Sequence, residues 1–186
     1  MYWKHFSKVK PESLYSHTPL PDMAAAPHLY PPVVVQLPMF NEREVCRQII
    51  DAACELEWPR GRLLVQVLDD STDDIARERI QEAVAAWREA GVNIVYRWRA
   101  NREGYKAGAM SEAMEEIKDY EHCAIFDADF HPEPDFLLKT IPYLVDNPEV
   151  GFVQARWVYA NASESLLTRV QVIGLSYHIK CEQYAR

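Results

Sequence analysis

Two acidic pairs carry most of the chemistry this sequence could perform. Asp69 and Asp70 close the apolar run Val65-Gln66-Val67-Leu68, and Asp127 and Asp129 close the run Ala124-Ile125-Phe126. Short apolar, β-branched runs of this kind read as buried strands of a mostly parallel sheet. In an open α/β sheet the ligand crevice lies outside the carboxyl ends of the strands, so both pairs are expected to face one crevice. Crowded carboxylates raise one another's pKa unless a cation shares the site. A hard divalent cation beside a diphosphate relieves that repulsion through oxygen ligands, a donor set suited to Mg2+ or Mn2+. Strand-end turn aspartates bonded to their own backbone are the plainer reading. It accounts for one pair more readily than for two pairs in register.

The elements that must position these groups follow from periodicity and punctuation. Residues 1–32 are proline-rich (Pro11, Pro19, Pro21, Pro27, Pro31 and Pro32) and read as an irregular arm. From Val33 onward, strands over 33–37, 63–68, 93–96, 122–126 and 150–159 alternate with helical spacing over 42–56, 73–90, 106–117, 135–145 and 165–184. Asn41 is placed to cap the first helix, Gly91 to stop the second, and Ser163 or Ser165 to cap the last. Gly104 marks a turn before the third helix, and Pro134 stands at the favourable start of the fourth. No period of 20 to 50 residues recurs. The fold class is α/β, a mostly parallel sheet flanked by helices in a single domain over 33–186.

Bulk properties narrow the function. The chain has 186 residues, 48% of them hydrophobic and 26% charged, enough for one domain with a sizeable core. A net charge of −8 argues against general nucleic-acid binding, which needs a basic surface. Cys46, Cys54, Cys123 and Cys181 form no C-x-x-C pair and read as reduced structural residues of a cytosol-facing protein. No run reaches the ~20 apolar residues of a membrane span. The first residues, with Lys4, Lys8 and Lys10, have no apolar core of a signal peptide. Taken alone, the chain is expected to be soluble.

Five ordered strings make the pattern specific: Val-Gln-Leu-Pro-Met-Phe-Asn-Glu-Arg-Glu-Val (35–45), Val-Leu-Asp-Asp-Ser-Thr-Asp (67–73), Arg-Glu-Gly-Tyr-Lys-Ala-Gly-Ala (102–109), Ile-Phe-Asp-Ala-Asp-Phe (125–130) and Val-Gln-Ala-Arg-Trp (153–157). In order and spacing they resemble family 2 glycosyltransferases, in the plant cellulose-synthase-like A and C version. Lys8-Val-Lys-Pro-Glu resembles the segment that follows the family's first membrane helix. Asp-x-Asp at a strand end also resembles haloacid-dehalogenase-type phosphatases. There the motif stands near the chain start, whereas here it lies deep in the chain and is followed by Phe130 and His131.

The resemblance implies a GT-A, Rossmann-like fold that is incomplete at its C-terminus, and it assigns roles. Pro38, Asn41 and Glu42 would lie beside the nucleobase, with Asp69 and Asp70 on base and ribose. Lys106, at a helix start, would meet the diphosphate with its charge and the helix N-terminus, while Gly104 and Gly108 permit close backbone approach. Asp127 and Asp129 would serve the metal, Asp127 also touching sugar or ribose. Gln154, Arg156 and Trp157 would meet the acceptor, Trp157 being either a stacking platform or core.

The implied donor is GDP-mannose (mannan type) or UDP-glucose (glucan type), and the implied acceptor is a growing β-1,4-linked cell-wall polysaccharide, with inversion. The family is anchored in the Golgi membrane through segments absent from this chain, with its catalytic domain facing the cytosol. The general base belongs to a Thr-Glu-Asp motif expected beyond Arg186, so no catalytic residue is assigned here, and Glu182 matches no catalytic position. The chain is therefore expected to be a fragment; the alternative is a short form that binds donor without turnover. The strings 104–109 and 133–144 lean toward the mannan type, because the C type more often has Asn at the position of Ala109. Trp58 reads as a packing residue, His131 as a substrate contact or a solvated loop residue, and Glu112, Glu115 and Glu116 as a solvated helix face. The sequon at Asn161 is discounted for a cytosolic domain.

Overall fold

Four runs become strands: β1 (Val33–Met39) and β2 (Leu63–Asp69), apolar and buried along nearly their whole length, and β3 (Ile94–Trp98) and β4 (His122–Ile125), whose residues are mostly half-buried or exposed. In this computed structural model, which describes residues 15–178, they form one parallel sheet in the order β3-β2-β1-β4. Val33 stands in register with Leu63 and with His122, and Val65 with Ile94. Every residue of β2, and all of β1 except Pro38, is buried, as expected where helices cover both faces of a parallel sheet. The chain steps from β1 to β2 to β3 in one direction and then returns to the other side of β1. The switch point, where such sheets open a crevice, therefore lies between the carboxyl ends of β1 and β4.

Helices α1 (Cys46–Cys54) and α2 (Asp74–Glu89) pack against each other and against the sheet. The Trp87 indole N–H, which donates to Asp51 Oδ1 at 2.6 Å, ties them together. α3 (Tyr105–Met114) lays the small side chains of Ala109 and Ala113 on Leu68, and small residues let a helix approach a sheet closely. Between that contact and the cluster of Val34, Leu64 and Ile117 sits a buried polar pair, Gln36 Nε2 donating to Gln66 Oε1 at 3.0 Å. Trp58 is a packing residue as expected: 4% exposed, edge-on to Tyr30, its indole N–H bonded to the Pro31 carbonyl.

Two expectations are corrected. The first helix begins at Cys46 after Val45, without a side-chain cap. Asn41 instead adopts φ 58° and turns its side chain toward residues 72 and 73. No strand forms over 150–159. A strand exists only through a ladder partner, and no described residue pairs with this run, where Phe152 and Val158 are 76% and 82% exposed.

Residues 18–142 form one compact unit; the described residues 15–17 and 143–178 belong to a second. α4 (Phe136–Asp146) starts in the first and ends in the second, and α5 (Leu166–Tyr177) lies in the second. Ser165 caps α5 in a reciprocal capping box with Thr168, one of the two caps the sequence offered. Cys46, Cys54 and Cys123 are free thiols, and burial pushes Cys54 up to about 12, helped by Asp51 and Glu55. Lys4, Lys8, Lys10, Cys181, Glu182 and the end of the last expected helix fall outside the described residues.

Candidate functional site

The end of β2 is built inward. Asp69 and Asp70 are 1% and 4% exposed, and a buried carboxylate must find donors. Asp69 accepts from the Ser71 amide at 2.8 Å and from the Tyr96 hydroxyl at 2.7 Å. Burial, then this bond to Asp69, pushes the Tyr96 phenol above its ordinary value. Asn41, leaving β1, completes the corner. Its amide donates to Ser71 Oγ at 2.8 Å, and its Oδ1 accepts the amides of Thr72 and Asp73, each at 3.0 Å. Asp73 caps α2 through the amides of Ile75 and Ala76 and pairs with Arg43. Although desolvation opposes its ionisation, the Arg43 bond and those amides hold Asp73 below the usual carboxylate range.

Asp70 meets Arg99, a residue that no motif pointed to. Arg99 Nε lies 2.6 Å from Asp70 Oδ1 and Nη2 lies 2.8 Å from Oδ2, the fork geometry that suits carboxylates. Nη1 donates to the Glu103 carbonyl at 3.0 Å and to Glu112 Oε1 at 2.7 Å, and Nη2 donates to the Tyr105 carbonyl at 2.6 Å. The bonds to Asp70, and after them to Glu112, raise its pKa further above its already high value. Glu112, expected on a solvated face, is exposed but bound; Glu115 and Glu116 pair with Lys118 and Arg97.

The loop that Arg99 grips is unusual. Arg102, Gly104 and Tyr105 have φ of 44°, 68° and 51°, and a left-handed non-glycine residue costs on the order of 1 kcal/mol or more. Gly108 is required by close approach: a Cβ there would stand 1.9 Å from the Glu103 carbonyl oxygen. The Arg102 guanidinium lies 3.4 Å from the Phe40 ring centroid. Phe40, Trp98 and Tyr105 are 38%, 44% and 69% exposed, an aromatic surface that motif reading passed over. Phe40 and Tyr105 stand inside two of the ordered strings, which was the available signal; Trp98 lies in none of them.

The end of β4 is built outward. Asp127 pairs with Lys106, in the first turn of α3, with side chains 50% and 47% exposed. Asp129 is exposed. The structure thus brings Lys106 and Asp127 together at the switch point, while Asp69 and Asp70 are engaged by protein partners. Pro38 and Glu42, at the end of β1 and just beyond it, are half-buried; His131 is exposed. Among the described residues no three His, Cys, Asp or Glu side chains converge as a metal cage. The donor set at 127–129 fits a Mg2+-class cation that takes one or two carboxylates and completes its shell with phosphate oxygens and water. In the second unit Gln154, Arg156 and Trp157 are exposed, with Trp157 edge-on to Tyr159 at 5.4 Å.

Comparison with known proteins is consistent with this layout. The model of "Glycosyl transferase family 2" matches residues 34–180. "Probable glucomannan 4-beta-mannosyltransferase 9" of Oryza sativa subsp. japonica is 52% identical over 165 residues, covering 88% of this chain and 31% of that protein. "Glucomannan 4-beta-mannosyltransferase 7" of Arabidopsis thaliana is 46% identical over 186 residues, covering 98% of this chain and 33% of its own length. The chain spans about a third of the length of these relatives. Among solved structures, the mannosyltransferase PcManGT from Pyrobaculum calidifontis, in complex with GDP-Man and Mn2+, superposes with TM-score 0.59 and 26% identity. That match covers 77% of this chain and 38% of the other. S. aureus TarS 1-349 shares the fold, with TM-score 0.54 and 16% identity over 72% of this chain and 40% of its own. The expected GT-A arrangement of a parallel sheet between helices is thereby established.

Proposed function

The chain belongs to glycosyl transferase family 2, and from that premise we propose that it is the donor-binding part of an inverting hexosyltransferase. Its donor in this reading is GDP-mannose and its product a β-1,4-linked mannan or glucomannan. The observation that carries the reading is the meeting of Lys106 with Asp127 at the switch point of the sheet, beside an exposed Asp129. The relatives named as glucomannan 4-beta-mannosyltransferases support the sugar. The GDP-Man and Mn2+ held by the solved mannosyltransferase support the nucleotide and a divalent metal.

Asp127 and Asp129 would hold the cation, which when bound offsets charge on the departing nucleoside diphosphate. Lys106 brings a positive charge and the first turn of α3 to the same oxygens. Its bond to Asp127 is then exchanged for one to phosphate. Pro38, Asn41 and Glu42 line the nucleobase end, where the Asn41 clamp fixes the turn. Asp69 and Asp70 shape the corner from behind, with Oδ atoms of buried side chains already bonded to Tyr96 and Arg99. Gln154, Arg156 and Trp157 are the acceptor-side residues in this reading. The general base is not among the residues named. The donor domain would occupy 33–186 after a juxtamembrane arm over 1–32, in a Golgi membrane protein with its catalytic side facing the cytosol. This last part rests on the resemblance; no helix among the described residues is long and apolar enough to cross a membrane.

Calorimetric titration of the chain with GDP-mannose and UDP-glucose, each with and without Mn2+, tests the reading. GDP-mannose is expected to bind preferentially, and at least about tenfold more tightly with the metal, a ratio worth about 1.4 kcal/mol. Preference for UDP-glucose would move the donor to the glucan type. Indifference to both nucleotides and to metal would overturn the site.

A further inference from the structure

Arg99 has an arrangement that neither pairing nor packing of a single carboxylate requires. A guanidinium carries five N–H donors, and here each has an acceptor: two on Asp70, one on Glu112 and one on each of the carbonyls of Glu103 and Tyr105. These acceptors come from the end of β2, from the start and body of α3 (Tyr105 and Glu112) and from Glu103 in the loop between β3 and α3. Arg99's own amide donates to the Asp69 carbonyl at 3.2 Å, so its backbone is fixed to the β2 terminus as well. The side chain is 13% exposed and Asp70 is 5% exposed, so water competes little for these bonds.

The two carbonyls belong to the segment that leads into α3, whose Arg102, Gly104 and Tyr105 are left-handed. Such a loop persists only where its surroundings over-determine it. Within the loop the Tyr105 amide reaches the Arg102 carbonyl and the Gly108 amide reaches the Gly104 carbonyl, each at 2.9 Å. From the first position of the same connection, Arg99 holds the carbonyls on either side of Gly104. Lys106 follows directly, and its position at the crevice is inherited from that loop.

We propose that Arg99 is a positioning residue that joins the nucleoside end of the donor site, at Asp70, to its diphosphate end, at Lys106 and the first turn of α3. This inference rests on the donor-binding reading above. It adds that the two ends act as one preformed unit because a single guanidinium is shared between them. Lysine at this position keeps the charge but has a single rotatable ammonium in place of the planar fork, so it cannot serve Asp70, Glu112 and both carbonyls together.

The test compares Arg99→Lys with the unchanged chain by amide hydrogen exchange without ligand and by titration with GDP–Mn2+ and with guanosine. In Arg99→Lys the amides of Tyr105 and Gly108 are expected to exchange at least about tenfold faster while those of β1 keep their protection. GDP–Mn2+ affinity should fall at least about tenfold, and guanosine affinity by less than about twofold. A general loosening of the fold would weaken both ligands alike. Adding Lys106→Ala should weaken GDP–Mn2+ binding at least about fivefold in the unchanged chain and less than about twofold beside Arg99→Lys. Unchanged exchange at Tyr105 and Gly108, or an equal Lys106→Ala effect in both backgrounds, overturns the proposal. If the unchanged chain binds neither GDP nor guanosine, the donor reading fails, and the exchange result still decides whether Arg99 holds the loop. Should Arg99→Lys not fold, Glu112→Ala removes only the half-exposed partner. Faster exchange at Gly108 is expected there too, and its absence counts against the proposal.

Discussion

The two acidic pairs stand at equivalent places, the carboxyl ends of parallel strands, and the fold treats them in opposite ways. Asp69 and Asp70 are buried and fully engaged by Tyr96, the Ser71 amide and Arg99. Asp127 is half-exposed with one lysine, and Asp129 is exposed. The first pair lies at the end of β2, flanked on both sides by β1 and β3, whereas β4 stands at the edge of the sheet that the described residues form. The lesson is that a carboxylate pair on a strand end divides by neighbourhood. The flanked pair is buried and bonded within the protein, and the edge pair stays half-exposed to exposed. Substitutions at the two pairs should therefore separate stability from binding.

The largest effect is expected at Asp70. Asp70→Ala leaves Arg99 buried without its fork partner, and breaking a buried pair from one side costs about 3 kcal/mol or more. For a chain of this size that is a fall of roughly 6–12 °C in Tm, read by thermal unfolding. A loss under about 0.5 kcal/mol would place Asp70 with surface groups and erase the contrast. Next comes Asn41, whose side chain takes two amides and whose φ is 58°. Asn41→Ala should cost about 2 kcal/mol in urea unfolding, a lost cap-like acceptor plus left-handed strain. Asn41→Gly removes only the side-chain bonds and should cost about half as much; equal losses would mean that the backbone conformation contributes nothing.

At the open pair the order reverses. Asp129→Ala should change stability by less than about 0.5 kcal/mol, while Mn2+-dependent GDP-mannose affinity falls at least about tenfold, or about 1.4 kcal/mol. If Asp129→Ala destabilised the chain as Asp70→Ala does, the two pairs would not differ in kind.

Much of this layout was legible in the sequence, because strand runs, turn residues and Asp-x-Asp are local signals. The parallel sheet, with a crevice at the carboxyl ends of its strands, follows from alternating β and α periods, and Gly108 from a motif that needs close approach; the strand order that opens the crevice between β1 and β4 is set by tertiary pairing. Asn41 was legible as a functional polar residue but not as a clamp. Its partners Thr72 and Asp73 are about thirty positions away, and only the β1–β2 register brings them together. Arg99 was invisible for a sharper reason: its acceptors converge from three elements, and two of them are carbonyls, which carry no residue identity. The run over 150–159 has strand composition, yet pairing decides a strand and composition does not.

The smallest expected effect tests how far the engaged side extends. Asp73 continues the β2 corner into α2, paired with Arg43 and capping the helix. Its folded pKa lies below 3.8, so the unfolded chain binds a proton there before the folded chain does. Its contribution is thus complete above about pH 3.8 and is lost as pH falls through the folded value. Asn remains a competent cap, so Asp73→Asn removes the charge and keeps the bond. Between pH 5 and pH 3 the unchanged chain should lose slightly more stability than Asp73→Asn in urea unfolding. Identical losses would mean that the Arg43 pair is fully screened, and that the charged network of the β2 corner stops at Asp70 and Arg99.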